Sequence, residues 1–123
     1  MVQRGDAIYQ ELCTIAATFG VFDCIPCARM LKQFLIEHNI PGVQIVLETG
    51  SQDPQYGRIY DDSIGELIAT TGHHEGIVLQ IDEQEIVFDN IHPDGVPKGI
   101  WLSNLYSPIL EMGQPFQITE IEF

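Results

Sequence analysis

Basic residues are scarce in this chain: five Lys and Arg stand against 18 Asp and Glu over 123 residues, for a formal charge of −13 at pH 7. Binding to a phosphate backbone depends on clustered cations, so nucleic acid is excluded as an expected partner. Docking on anionic membrane is excluded for the same lack. Cysteine is scarce too: Cys13, Cys24 and Cys27 are too few, and odd in number, for a disulfide scaffold. No run approaches the roughly 18 apolar residues of a membrane span. The start, Met1-Val-Gln-Arg-Gly-Asp6, lacks the basic and apolar stretches of a secretory signal, which gives a cytoplasmic expectation for the chain as it stands. Internal repeats and low-complexity tracts are absent as well. What is present is a globular composition, 45% hydrophobic and 19% charged, in a length that predicts one domain over residues 1–123.

The pattern along the chain is α+β. Ile8, Leu12, Ile15, Ala16 and Phe19 form a helical stripe over residues 5–19, with Gly20 as its stop. Asp23 is a good N-cap and Pro26 is tolerated in a first turn, so a second helix is predicted to run to about His38 before Pro41-Gly42. Its inner face reads Cys24, Cys27, Ala28, Leu31, Phe34 and Leu35. The period then switches to two. Val43, Ile45 and Leu47 predict a strand, residues 50–57 a loop, and Arg58-Ile59-Tyr60 a short strand, whereas residues 61–72 carry no clear pattern. His74–Ile81 and Glu85–Asp89 predict a hairpin turning at Asp82–Gln84. After a Pro/Gly-rich loop come a helical piece at Trp101–Tyr106 and a last strand, Phe116–Phe123. The phases of Phe116/Ile118 and Ile121/Phe123 disagree in that strand, which predicts a bulge.

The informative chemistry is a thiol at a helix start. Cysteine reacts as thiolate, and a helix N-terminus favours that form while offering N–H groups to an oxyanion. Cys24 occupies this position, whereas Cys27 reads as a small core residue. A nucleophilic thiol needs a base, and the base needs an orienting group. Of the four histidines, His38 reads as a helix C-terminal dipole contact and His92 lies in a loop. An even hairpin loop places His74 on the same sheet face as Asp89, and His73 on the face shared with Asn90. Both pairs stay open on parity, and the phase of His73 with Ile77, Leu79 and Ile81 speaks for the second.

These residues resemble known families. Cys24 with Ala28 four residues on and Ile40-Pro41 at the helix end resembles the nucleophile helix of transglutaminase-like proteins, with Asn39 in place of their glycine. His74-Glu-Gly-Ile-Val-Leu79 followed by Asp89 resembles their histidine strand. More closely, the chain resembles the papain fold toxin 2 domain of bacterial polymorphic toxins. The resemblance runs from about Leu12 to Tyr106 through Phe22-Asp-Cys-Ile-Pro-Cys-Ala28, Ile40-Pro-Gly42, Gly72-His-His-Glu75, Val87-Phe-Asp-Asn-Ile91 and Pro93-Asp-Gly95. It implies a papain-like/transglutaminase-like fold, with N-terminal helices and the nucleophile helix packed on an antiparallel sheet. It further implies Cys24 as nucleophile, His74 as base and Asp89 as the orienting group, with no cofactor and no metal. The implied activity is that of a peptidase, deamidase or transglutaminase on a protein or peptide substrate. The implied setting is a secreted toxin that delivers the domain and has a cognate immunity protein. The glutamine that precedes the nucleophile in papain-like peptidases has only Gln10 as a candidate here, and Trp101 reads as core, with shielding of the His–Asp pair as its alternative.

Three other readings compete. Cys24-Ile-Pro-Cys27 at a helix start also resembles the redox motif of thioredoxin-like proteins, although a strand belongs before that motif and residues 5–19 read as helix. Cys24, Cys27, His73 and His74 have zinc-type side chains without familiar zinc spacing. An acidic binding or immunity module would use the charge to steer a basic partner.

Overall fold

The computed structural model describes residues 2–51 and 53–123. Helices α1 (Ala7–Ala17) and α2 (Cys24–Glu37) precede strands β1 (Val43–Glu48), β2 (Ile59–Asp61), β3 (Glu66–Ala69), β4 (His73–Ile81), β5 (Gln84–Phe88) and β6 (Val96–Pro97). A short helix α3 (Lys98–Asn104), strand β7 (Leu105–Tyr106), a 3-10 turn (Pro108–Met112) and strand β8 (Gln117–Glu122) complete the order. The class is α+β, as the alternation of periods predicts.

Both N-terminal helices form where their apolar spacing places them. In α1 the stripe is buried at Leu12 and Ala16 and half-buried at Ile8, Ile15 and Phe19. The helix ends before Gly20 because the Thr18 N–H and hydroxyl both turn back to the Ile15 carbonyl, at 3.1 and 2.7 Å. In α2, Cys24, Cys27, Ala28, Leu31 and Leu35 are buried. The His38 ring donates to the Phe34 carbonyl at 2.8 Å, and Asn39 takes the left-handed conformation (φ 55°) that ends many helices.

The main sheet is antiparallel in the order β6-β5-β4-β1-β8, and a second sheet has the order β3-β2-β7. Odd-numbered residues of β4 (Ile77, Leu79, Ile81) pack with Leu12, Leu31 and Leu35 of the helices. The opposite face, with Ile45, Leu47, Val78 and Val87, packs on Ile59, Ile68, Trp101 and Leu105 of the second sheet and α3. Strand β4 is therefore covered on both sides, which is why Ile77-Val78-Leu79 is apolar without alternation.

Three expectations change in detail. The β4–β5 hairpin turns on two residues rather than three: Ile81 pairs with Gln84, and Asp82 and Glu83 both have positive φ (51° and 67°), the geometry of a type I′ turn. Two residues make the loop even, as the face assignment of His74 and Asp89 requires, and that assignment holds. The last strand has no bulge; β8 pairs with β1 in unbroken register from Gln117 to Glu122. Ile118 and Ile121 simply project from opposite faces of an edge strand, while Phe116 and Phe123 lie beyond its ends on different cores. The expected helix at Trp101–Tyr106 lies earlier, at Lys98–Asn104, and Leu105–Tyr106 is strand.

One glycine sets how closely the central strands approach the candidate site. A Cβ on Gly76 would lie 2.9 Å from Val87 Cγ1, 3.0 Å from the Phe88 carbonyl oxygen and 3.4 Å from Asp89 Cβ. Gly76→Ala is expected to cost about 1–3 kcal/mol through this overlap. Urea unfolding measures it, and an unchanged midpoint would contradict the close approach.

Candidate active site

The site begins in the turn between the two helices. The Asp23 N–H closes that turn on the Gly20 carbonyl at 3.2 Å, and the same carbonyl accepts from Asn90 Nδ2 at 2.8 Å. Asp23 holds the N-cap position of α2 without capping it. Its backbone (φ −100°, ψ 33°) is not extended as a capping residue's is, and Oδ2 instead accepts from the Gly20 N–H at 3.0 Å. The first helical bond runs from the Cys27 N–H to the Asp23 carbonyl at 3.1 Å, and Pro26 has no N–H. The N–H groups of Cys24 and Ile25 consequently have no acceptor among the described residues. These two donors stand at the positive end of the helix, beside the thiol.

Cys24 is nearly buried, 6% exposed, and lines a cleft of about 240 Å³ bounded by Phe22, Ile25, Ile68 and His73. Beneath it the start of β4 and the residue after β5 bring a histidine and a carboxylate together. His74 Nε2 donates to Asp89 Oδ2 at 2.9 Å with both side chains out of solvent. Trp101 joins them: its indole N–H donates to the same Oδ2 at 2.7 Å, and its ring stacks on His74 with centroids 5.6 Å apart. The other oxygen, Oδ1, accepts from the N–H groups of Ile91 and His92 at 3.0 and 2.6 Å. Trp101 is thus both core and shield, fully buried while covering the His–Asp pair.

Electrostatics follow from this burial. Desolvation by itself lowers the His74 pKa, but the hydrogen bond and charge of Asp89, together with the Cys24 thiol, raise it to about 9. Desolvation by itself raises Asp89, yet His74, Trp101 and His92 hold its carboxyl below the usual range. Burial, the Asp89 and Cys24 charges and Asp23 push Cys27 up to about 12, so its thiol is protonated at neutral pH. His74 Nδ1 is buried with no hydrogen-bond partner among the described residues. Cys24 is near enough to act on the ring but does not complete a hydrogen bond to it.

Of the two pairings that parity left open, the structure joins His74 to Asp89 and separates His73 from Asn90. His73 lies on the helix side, as its phase requires, but donates to Glu75, whose other oxygen accepts from Gln44 at 3.2 Å. Asn90 is engaged with Gly20. Gln10 sits on the exposed side of α1. The Cys-Ile-Pro-Cys segment follows helix α1 rather than a strand, unlike the thioredoxin arrangement. Among the described residues no three His, Cys, Asp or Glu side chains are grouped to hold a metal ion. Among the described residues no helix is long and apolar enough to cross a membrane. One participant had no sequence signal: His92 donates to the buried Asp61 at 2.8 Å while its own N–H binds Asp89, tying the second sheet to the site.

The family model described as papain fold toxin 2 matches residues 7–106, a span that includes Cys24, His74, Asp89 and Trp101. No curated protein and no solved structure matches the chain.

The buried pair makes stability depend on pH. The folded His74 pKa of about 9 exceeds its ordinary 6.5, so its contribution is complete below about 6.5 and is lost as pH rises through 9. The Asp89 contribution is complete above its ordinary 3.8 and is lost as pH falls further. Between pH 6.5 and 9 the unfolding free energy is expected to fall by on the order of 3 kcal/mol through His74. His74→Gln should remove most of that slope. A wild-type curve that stays flat over this range would contradict the coupling.

Proposed function

Because the chain belongs to the papain fold toxin 2 family, we propose that it is the papain-like cysteine enzyme domain of a toxin effector, acting on amide or peptide carbonyls of proteins. The observation that carries this reading is the division of labour on His74. Asp89 holds one ring nitrogen, and the other is buried, without a partner among the described residues, beside the Cys24 thiol, which lines a cleft.

In the proposed reaction Cys24 Sγ attacks the carbonyl carbon. With Nε2 fixed on Asp89, His74 holds the proton given up by the thiol at Nδ1, as the imidazolium that its pKa of about 9 favours at neutral pH and that Asp89 stabilises. The carbonyl oxygen becomes an oxyanion and accepts from the N–H groups of Cys24 and Ile25. Collapse breaks the C–N bond, and His74 returns the proton to the departing amine or ammonia, leaving a thioester. Water then gives the acid, as in a peptidase or deamidase; a second amine gives a new amide, as in a transglutaminase. Cys27 is unsuited to the first step because it is fully buried and its thiol is protonated. The partners of this reading are a protein or peptide substrate and a cognate immunity protein.

Expression in a bacterial host tests the reading. Cys24→Ala is expected to abolish growth inhibition with an unchanged circular dichroism spectrum, and His74→Gln to lower turnover by about 10²–10⁴-fold. Full growth inhibition by a folded Cys24→Ala protein would sink the enzyme in favour of an acidic binding module.

A further inference from the structure

Phe22 combines two features that the fold does not require. Four non-glycine residues among those described have positive φ: Asn39, Asp82, Glu83 and Phe22. Asn39 ends a helix, and Asp82 and Glu83 form a hairpin turn, places where such a conformation is ordinary. Phe22 (φ 74°) is the third residue of the Gly20–Asp23 turn, a position where glycine or asparagine is at ease and a bulky side chain is an outlier. Packing does not offset the strain, because the side chain is 56% exposed. Strain retained beside a reactive group marks a functional constraint.

The surroundings say what the ring faces. Val21 and Ile25, which with Phe22 flank Cys24 in sequence, are also exposed, at 39% and 46%. Clustered exposed apolar groups mark a recognition surface. Phe22 and Ile25 wall the cleft that holds the Cys24 thiol, and buried Ile68 and Ala69 line it as well. The one acidic side chain of the turn, Asp23, is turned away onto the Gly20 N–H. At about 240 Å³ the cleft is smaller than a typical small-molecule site and matches a single large side chain.

We propose that Phe22 is a specificity-determining residue. The cleft it walls with Ile25 takes a large apolar side chain of the substrate, on the residue that bears the attacked carbonyl or the residue before it. The inference rests on Cys24 as the nucleophile.

Acetyl-diphenylalanine and acetyl-diglycine chloromethyl ketones test it, since each places its carbonyl where the thiol attacks, loses chloride and leaves a thioether on Sγ. Each rate of Cys24 alkylation is divided by that for iodoacetamide, which carries no side chain for the cleft. The wild-type protein is expected to prefer the diphenylalanine probe by about tenfold or more. Phe22→Gly should lose most of that preference while its melting temperature holds or rises, because glycine relieves the positive φ. Phe22→Asn, also at ease there, repeats the test in a second background. Equal normalised rates for the two probes, or a preference unchanged in both variants, would overturn the proposal and leave Cys24 as nucleophile. Failure of iodoacetamide to modify Cys24 in the wild-type protein would overturn the enzyme reading itself, and this inference with it.

Discussion

The Asp89 carboxylate lies out of solvent and accepts four hydrogen bonds, from His74, Trp101 and the N–H groups of Ile91 and His92. A charge in that position is tolerable only when every lone pair is occupied, and the donors come from the start of β4, from α3 and from the turn that follows Asp89. The His74 ring orientation, the placement of α3 through Trp101 and the course of the chain after β5 all meet at this one group. His92 extends the arrangement to the buried Asp61 of the second sheet. A satisfied network of this kind specifies one geometry, since displacing any donor leaves part of a buried charge unpaired.

The same geometry links the core to the chemistry. Strand β4 is covered on both faces, so its register is strongly fixed, and a slip of one residue would carry His74 to the helix side. Gly76 permits the close approach of β5 that brings Asp89 beside His74. Helix α2 buries Cys27, Ala28, Leu31 and Leu35 against the helix side of the sheet, which sets its first turn at the end where β4 begins. Asn90 fastens the preceding turn through Gly20. Cys24, His74 and Asp89, to which the proposed reaction gives the roles of nucleophile, base and orienting group, are thus each held in place by the packing of the core.

Much of this was legible in the sequence because it rests on periodicity. The α2 stripe and the even β4–β5 loop placed Cys24 at a helix start and His74 with Asp89 on one face. The family resemblance agreed with that pair, while the phase of His73 drew the other way because it reported burial on the helix side rather than partnership. Strand β2 was read one residue early, as Arg58–Tyr60, but β3, with four residues, and β7, with two, carry too few positions for a period to show, so the second sheet as a whole was not visible. The expected bulge in β8 came from reading Phe116 and Phe123 as strand residues when they lie beyond its ends. The Asp61–His92 pair spans 31 positions and has no local pattern. The strain at Phe22 is a backbone property that a phenylalanine codon conceals.

The joint action of Cys24, His74 and Asp89 is tested most directly by alkylating the protein with iodoacetamide at pH 6 and reading each cysteine by mass spectrometry, in the wild type and in His74→Gln. The expected result is that Cys24 reacts ahead of Cys27, whose thiol burial keeps protonated, and ahead of Cys13, whose pKa burial also raises. The Cys24 rate should then fall by about tenfold or more when the imidazole is removed. Prior modification of Cys27, or a Cys24 rate indifferent to His74, would contradict a thiol activated by its histidine.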